Sequence, residues 1–286
     1  MMEDTNQGTF KKKKKGKSFL QKQKRFGKQG QRGKGTNIEQ DDYDYLVRVL
    51  ERWRDGFDSD DEKIIFVGNV MNTTEGKERL LAGNQLGSRV IEMLLPSAES
   101  EVVDRFSAAL GQDLRLVCLD PFMSHVLEKL LILQSFTLIG QQDDQNSSDW
   151  LMKVSKFVTN NAEDFCNNMY ASHLLRTVTE CLVGVRYSES NNNQSKTQGY
   201  DERTEWRFSN NRQVIQSCDE VIEVFSQRLS SLSHDQLSSE LCVRVISVFC
   251  HLAAAKHCHL VTNLLQHILN SVITDHLDLD NGNIVR

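Results

Sequence analysis

The stretch NQLGSRVIEMLL at Asn84–Leu95 decides how the rest of the sequence is interpreted. It returns 36 residues later in altered form as DPFMSHVLEKLL at Asp120–Leu131. A third, looser copy is NMYASHLLRTVT at Asn168–Thr179, and a degraded fourth copy is LCVRVISVFC at Leu241–Cys250. A helical phrase that recurs at the length of one supersecondary unit predicts an all-α solenoid built from helical repeats.

Each copy predicts an amphipathic helix with a broad apolar face. In the first copy Val90, Ile91, Leu94 and Leu95 pair at i, i+4 spacing, and Pro96 ends the helix. Other amphipathic stretches predict helices at 43–54, 62–71, 99–110, 150–160, 214–229 and 258–273, with 114–119 as an irregular continuation of 99–110. The chain contains only two prolines, which suits a protein rich in helices.

The charge of the chain is divided between a basic N-terminal arm and an acidic body. Residues 1–36 hold 12 Lys/Arg and 2 Asp/Glu, a charge of +10, so the total of −5 leaves −15 for the remainder. The arm is predicted to be disordered, because its composition offers too little apolar surface to offset the entropy of ordering. It indicates a nuclear or nucleolar address that also contacts nucleic-acid phosphates, with a merely solubilising tail as the alternative. The basic residues on which this prediction rests are Lys11, Lys12, Lys13, Lys14, Lys15, Lys17, Lys24 and Arg25.

The remaining composition excludes several functional classes. Seven cysteines, an odd number without a CxxC pair, indicate a reduced intracellular compartment, and the lack of a long apolar run predicts no membrane association. No phosphate-binding glycine loop, nucleophile elbow or paired-carboxylate set occurs, so neither catalysis nor a cofactor is expected. The grouping of His251, His257, Cys258 and His259 matches no structural zinc spacing, and no metal site is expected there.

A polar triplet recurs at fixed positions in the repeated helices. In the first copy Ser88 and Glu92 lie together at i, i+4 spacing, with Arg89 beside them. One interpretation is that the serine caps its helix and the glutamate is solvated. The other is that two side chains reach one base edge while the flat side chain between them stacks on the base. The corresponding residues are Ser124, His125 and Glu128 in the second copy, and Ser172, His173 and Arg176 in the third.

These residues carry a resemblance to a known family. GSRVIE at Gly87–Glu92, MSHVLE at Met123–Glu128 and ASHLLR at Ala171–Arg176 resemble the RNA-facing helices of Pumilio (PUF) repeats. The basic arm followed by divergent repeats with insertions is similar in particular to a nucleolar branch of that family, which acts in ribosome biogenesis. The resemblance covers residues 43–275.

The resemblance implies a domain organisation as well as a fold. Behind the arm, residues 37–286 would form a right-handed α-solenoid of Pumilio-like repeats, interrupted by a polar loop insertion at 184–212. Because the sequence stops without a clear polar cap, the array is expected to be incomplete at its C-terminal end.

The family resemblance further implies which residues contact RNA. In the first two copies a Ser/Glu pair would contact a base edge and favour guanine, and the residue between them would stack on a base. In the third copy Arg176 replaces the expected Gln or Glu and would hold a phosphate instead. In the fourth copy Val243 cannot hydrogen-bond a base edge, which leaves only Arg244. The residues assigned to RNA are Ser88, Arg89, Glu92, Ser124, His125, Glu128, Ser172, His173, Arg176 and Arg244.

The resemblance implies a non-catalytic monomer that binds precursor ribosomal RNA in the nucleolus during small-subunit maturation, with pre-ribosomal particle proteins as further partners. One alternative is a nuclear armadillo- or HEAT-like scaffold that binds protein, although a peptide groove would not require the same Ser/Glu pair in successive repeats. A second alternative is a Pumilio-type regulator of messenger RNA. The basic arm and the irregular repeat spacing argue against that regulator.

Overall fold

The computed structural model describes residues 33–140, 145–183, 185–187, 203–205, 212–254 and 256–282. Its helices are α1 Gln40–Asp55, α2 Asp60–Asn72, α3 Glu78–Ala82, α4 Gln85–Leu94, α5 Ser100–Leu110, α6 Leu114–Leu119, α7 Met123–Gly140, α8 Gln145–Asn160, α9 Ala162–Phe165, α10 Ser172–Val183, α11 Arg212–Ser230, α12 His234–Leu237, α13 Glu240–Ala253 and α14 Cys258–Gly282. A 3-10 turn at Leu95–Ser97 follows α4. Within these ranges, no helix combines the length and the apolar character needed to cross a membrane.

Each repeating unit consists of a long first helix, a short helix and the helix that carries the repeated phrase. The successive units are α2–α3–α4, α5–α6–α7, α8–α9–α10 and α11–α12–α13. We call α4, α7, α10 and α13 the repeat helices, and each of them packs against the next one along the chain. The long helices α8, α11 and α14 pack in succession beside them. This stacking of like units confirms the predicted α-solenoid.

The repeat helices bury the apolar faces that the sequence predicted. On α4, Val90, Ile91 and Leu94 are at most 1% exposed. The matching positions on α7 and α10 are completely buried, and they are Val126, Leu127, Leu130, Leu174, Leu175 and Val178. Because burial of one such side chain stabilises a fold by about 1.5–3 kcal/mol, these faces hold neighbouring units together.

A recurring asparagine or aspartate lies just before three of the repeat helices, α4, α7 and α10. Oδ1 of Asn84 accepts hydrogen bonds from the backbone N–H groups of Leu86 and Gly87 at 2.9 and 3.2 Å. Asp120 and Asn168 accept the same two bonds, from residues two and three positions further on, at 2.8–2.9 Å. The interpretation that the serines cap these helices is therefore wrong, because a side chain four residues earlier already satisfies first-turn N–H groups.

Residues 33–38, which we call the strap, lie against the start of α4. Gly35 forms an isolated antiparallel bridge with Asn84, and the backbone N–H of Thr36 donates to the carbonyl of Gly83 at 2.9 Å. Gly35 has a φ of +89°, and a Cβ there would lie 2.0 Å from the Gly83 carbonyl oxygen, so this position requires glycine. Composition alone had grouped part of the strap with the disordered arm. The rest of the arm, including its clustered lysines, lies outside the described residues.

A short hairpin lies in the region that was predicted to be a polar loop insertion. Strand β1 (Val185–Tyr187) pairs antiparallel with β2 (Arg203–Glu205), with Val185 opposite Glu205. Strands of three residues are too short to show an alternating pattern, which is why the sequence indicated only a loop. The other residues of 184–212 that precede α11 lie outside the described ranges.

Some helix limits differ from those predicted. The stretch 114–119 is a separate short helix, α6, whose N-cap Asp113 accepts a hydrogen bond from the N–H of Leu116 at 3.3 Å. It therefore does not continue α5, which ends at Leu110. In addition, α8 begins at Gln145 rather than at residue 150, where the amphipathic pattern predicted its start.

Candidate nucleic-acid interface

The polar triplets of the first three repeat helices meet in one row. Glu92 on α4 interacts electrostatically with His125 and Glu128 on α7. His173 on α10 interacts in turn with both His125 and Glu128. We call this row the polar row; its members are Arg89, Glu92, His125, Glu128, His173 and Arg176. The fold thus brings residues from three separate sequence copies into one continuous strip.

Glu128 lies at the centre of the polar row and contacts two repeat helices. Its Oε2 atom lies 3.7 Å from Nδ1 of His125 on the same helix and 3.5 Å from Nδ1 of His173 on the next. Its Oε1 atom accepts a hydrogen bond of 2.8 Å from the hydroxyl of Thr177 on α10. One carboxylate therefore joins α7 to α10 through both of its oxygens.

Burial and neighbouring charges shift the pKa values of the row in opposite directions. Burial raises the pKa of Glu92. Burial alone would also raise the pKa of Glu128, but its contacts with the two histidines and with Thr177 outweigh burial and lower it. The Glu128 carboxylate raises the pKa of His125, whereas burial lowers the pKa of His173. At neutral pH the junction of α7 and α10 therefore holds a carboxylate and a neutral buried imidazole.

The imidazole rings of His125 and His173 stack directly on each other. Their planes differ by 5° and their centroids are 4.7 Å apart. A base inserted between them would need a separation of about 7 Å, twice the stacking distance of about 3.4 Å. His173 is only 9% exposed, and His125 leaves about half of its side chain in solvent. The predicted stacking of RNA on His173 therefore requires the two rings to part.

The three serines of the polar triplets are buried beneath this surface. Ser88, Ser124 and Ser172 are 4%, 0% and 3% exposed. The Ser88 hydroxyl is 3.5 Å from the Gln85 carbonyl, and the Ser124 hydroxyl has no hydrogen-bond partner among the described residues. Contact between these hydroxyls and a base edge would require local movement. In this arrangement the row offers its Arg, Glu and His side chains to a ligand.

Replacing Ser124 with alanine is expected to leave the free energy of unfolding unchanged or to raise it by up to about 1 kcal/mol, because a buried hydroxyl without a partner is removed. Ser135→Ala on the same helix is the matched control. Its buried hydroxyl donates to the Ile132 carbonyl at 2.7 Å, so its removal should cost about 1 kcal/mol. Urea unfolding of both variants measures the difference. A destabilisation above about 1 kcal/mol for Ser124→Ala would contradict the prediction by revealing a partner.

The fourth repeat helix departs from the other three. Its N-cap, Ser239, makes no side-chain capping bond. Val243 occupies the position of the serine and is 52% exposed. Arg244 pairs with Glu240, one turn earlier on the same helix. The structure thus gives Arg244 an ion-pair partner on its own helix, and its assignment to RNA stays a prediction.

The cluster formed by His125, Glu128, His173 and Thr177 was not predicted from the sequence. The first and second copies are 36 residues apart and the second and third are 48 apart, so no fixed spacing relates the two histidines. Their shared position within two copies of the phrase was the only available signal. Among the histidines near the C-terminal end, Nε2 of His257 lies 3.3 Å from Oδ1 of Asp219.

Comparisons with known proteins agree with the repeat architecture. A family model described as "NOP9-like PUF repeat domain" matches residues 76–231, more than half of the chain. Nucleolar protein 9 of Kluyveromyces lactis is 31% identical over 134 residues, which cover 43% of this chain and 20% of that protein. Nucleolar protein 9 of Mus musculus is 23% identical over 250 residues, which cover 78% of this chain and 38% of that protein. The chain therefore spans less than two fifths of either relative.

A solved structure titled "Structure of APUM23-GGAAUUGACGG" has a similar fold. It aligns with a TM-score of 0.55 and 19% sequence identity, and the alignment covers 82% of this chain and 46% of that chain. At this level of identity the likeness concerns the fold alone.

Proposed function

The chain belongs to the family of NOP9-like PUF repeat domains, and on that premise we propose that it is a non-catalytic RNA-binding protein. The family predicted from the three polar triplets is confirmed by the match to residues 76–231. The repeats are therefore PUF repeats rather than armadillo or HEAT repeats. Function itself rests on the site, because one fold can carry many functions.

The observation that carries this proposal is the continuity of the polar row across α4, α7 and α10. Arg89 and His125 are exposed on successive repeat helices, and planar cationic or aromatic groups of this kind stack on unpaired bases. Glu92 is partly exposed and offers acceptors for base edges, while Arg176 offers a partner for a phosphate. The row therefore suits a single strand laid across successive repeats.

We further propose that the RNA is precursor ribosomal RNA of the small subunit and that binding takes place in the nucleolus. Both curated relatives described above are named nucleolar protein 9, which supports this assignment. Pre-ribosomal particle proteins would be neighbours of the bound monomer. The basic arm would add salt-sensitive attraction to phosphates, since the rest of the chain carries a net charge of −15 and would repel RNA at long range.

The full chain with both Arg89 and His125 replaced by alanine is expected to bind precursor ribosomal RNA at least about tenfold more weakly, because the stacking of one base on a side chain contributes about 1–3 kcal/mol. Arg115→Ala is the matched control, since it removes an exposed arginine outside the polar row, which pairs with Asp164 at 2.8 Å between the short helices α6 and α9. Fluorescence anisotropy with transcripts that tile the precursor measures the affinities, and a parallel set of messenger RNAs tests the alternative regulator.

A second variant separates the arm from the polar row. Changing Lys11–Lys15 and Lys17 to glutamine should lower the slope of log affinity against log salt by about 0.7 for each phosphate that the arm no longer neutralises. Selectivity among transcripts should persist in that variant and fall in the double variant of the polar row. If only the lysine variant failed to bind, recognition by the repeat helices would be contradicted. If crosslinking in cells recovered mainly messenger RNA, the ribosomal assignment would fail.

A further inference from the structure

We propose that His125, Glu128 and His173 form a binding site for a divalent transition-metal ion of the zinc class. These residues lie at the junction of α7 and α10, and one ligand atom from each can be chosen so that all lie within 4.8 Å of one another. The three groups are two imidazoles and one carboxylate, a ligand set that zinc accepts together with one open position for water. The proposal stands on this geometry and does not depend on RNA binding.

The distances around Glu128 match ligands of a shared metal better than they match hydrogen bonds. Oε2 lies 3.5 Å from His173 Nδ1 and 3.7 Å from His125 Nδ1. N–H···O hydrogen bonds fall at about 2.7–3.2 Å. By contrast, metal–ligand bonds of about 2.0–2.2 Å at tetrahedral angles place neighbouring ligand atoms about 3.3–3.6 Å apart. The carboxylate oxygen therefore already lies at the required separation from the His173 nitrogen, and it lies slightly beyond that separation from the His125 nitrogen.

His173 supplies a second, independent indication of a ligand. Its side chain is buried, with 9% exposure, and neither ring nitrogen has a hydrogen-bond partner within the described part of the chain. Buried polar atoms of native proteins almost always have partners, so an imidazole with two unsatisfied nitrogens calls for an explanation. A metal ion on Nδ1 would satisfy the nitrogen that faces Glu128.

Thr177 supports the carboxylate through the oxygen that does not face the two imidazole nitrogens. Its hydroxyl donates to Oε1 of Glu128 at 2.8 Å, which leaves Oε2 directed to the two imidazoles. Outer partners of this kind orient metal-ligating carboxylates, and their removal typically lowers metal affinity about 10–100-fold. His125 and Glu128 also lie one turn apart on α7, so both can reach an ion beside α10.

Binding requires one local change and takes place among mixed charges. The rings of His125 and His173 are parallel, so a metal cannot lie in both ring planes until one ring turns. His125 is the ring that turns, because about half of its side chain is in solvent. The surrounding charges are Glu92, Arg89, Lys129 and Arg176. Their net positive charge weakens the binding of any cation. The two imidazole ligands favour zinc over calcium and magnesium, because those hard cations prefer oxygen ligands.

Titration of the untagged full chain with Co²⁺ and Zn²⁺ tests the site. The Cys258→Ser variant serves as the background, because it removes the exposed thiol. We expect one ion per chain, with visible absorption bands of nitrogen- and oxygen-coordinated Co²⁺ and no thiolate charge-transfer band. Glu128→Gln and His125→Gln should abolish saturable binding, and Thr177→Val should weaken it about tenfold. His257→Gln, which removes a buried histidine paired with Asp219, should leave binding unchanged.

Thermal unfolding provides a second readout, because it distinguishes a folded variant that does not bind the ion from a variant that does not fold. A bound ion should raise the midpoint of wild-type unfolding and leave that of folded Glu128→Gln unchanged. No saturable binding in the background protein, or binding that survives both His125→Gln and Glu128→Gln, would overturn the proposal. The titrations contain no RNA, and the RNA measurements can be made with a chelator. Failure of one proposal is therefore distinguishable from failure of the other.

Discussion

Replacing Gly87 with alanine is expected to destabilise the protein by about 3 kcal/mol, because the new methyl group has no space. A Cβ at Gly87 would lie 2.2 Å from the carbonyl oxygen of Leu81 and 2.9 Å from its carbonyl carbon. Both atoms belong to the backbone of α3, so relief requires the short helix to move away from α4. The second and third copies carry Met123 and Ala171 at this position, so the constraint is specific to the turn between α3 and α4.

Gly68→Ala is the matched control for this prediction, and it should have the opposite sign. Gly68 lies inside α2, and a Cβ there would meet no atom within 4 Å. Alanine should therefore stabilise the protein by about 0.5–1 kcal/mol through its higher helix propensity. Urea unfolding followed by circular dichroism measures both changes. Equal stabilities of the two variants would contradict the close packing of α3 on α4.

The repeat helices and their buried faces were predictable from the sequence because their pattern is local. Val90, Ile91 and Leu94 follow helical spacing, and the same spacing recurs in the second and third copies. Three of the four short helices were not predictable in this way. α9 and α12 have four residues each and α3 has five, which is too few for a periodic pattern to be distinguished from a turn. The three-helix composition of each unit therefore emerged only from the structure.

The candidate site was predictable residue by residue but not as an arrangement. The repeated phrase indicated that His125 and His173 occupy equivalent positions, and it suggested that each would stack on a base. Their direct contact depends on how closely α7 packs against α10, and this distance is not encoded in either copy alone. The same holds for Glu128, which reaches Thr177 across that junction. Contacts between repeats determine which side chains a ligand can reach.

The interpretation that the serines cap the repeat helices was wrong for a different reason. The hydroxyls of Ser88 and its counterparts were considered as caps because serine is a frequent N-cap residue. Asn84, Asp120 and Asn168 stand four residues earlier in every one of the first three copies, and asparagine and aspartate are equally favoured caps. The repeated position was visible in the sequence, but only the observed start of each helix distinguishes the two choices.

Asn84→Ala is expected to lower the free energy of unfolding by about 3 kcal/mol. The removal of a helix cap alone lowers it by only about 0.5–2 kcal/mol. Asn84 is fully buried and has two roles. Its Oδ1 caps α4, and its Nδ2 donates to the Thr36 carbonyl at 2.8 Å, which holds the strap. Truncation to alanine therefore removes the cap and also leaves the Thr36 carbonyl without this donor. Urea unfolding measures the total destabilisation.

Two comparison variants divide the effect of Asn84→Ala between cap and strap. Asn168→Ala removes the same pair of capping bonds from α10, at 2.8 and 2.9 Å, and it should cost only about 1 kcal/mol. Asn84→Asp keeps the capping oxygen but removes the donor to Thr36, so hydrogen exchange should increase at the Thr36 amide while α4 stays protected. If Asn84→Ala cost no more than Asn168→Ala, the strap would contribute nothing to stability. A larger destabilisation would show that the contact between Asn84 and the strap stabilises the fold, so that residues 33–38 are held beside the helix that carries Arg89.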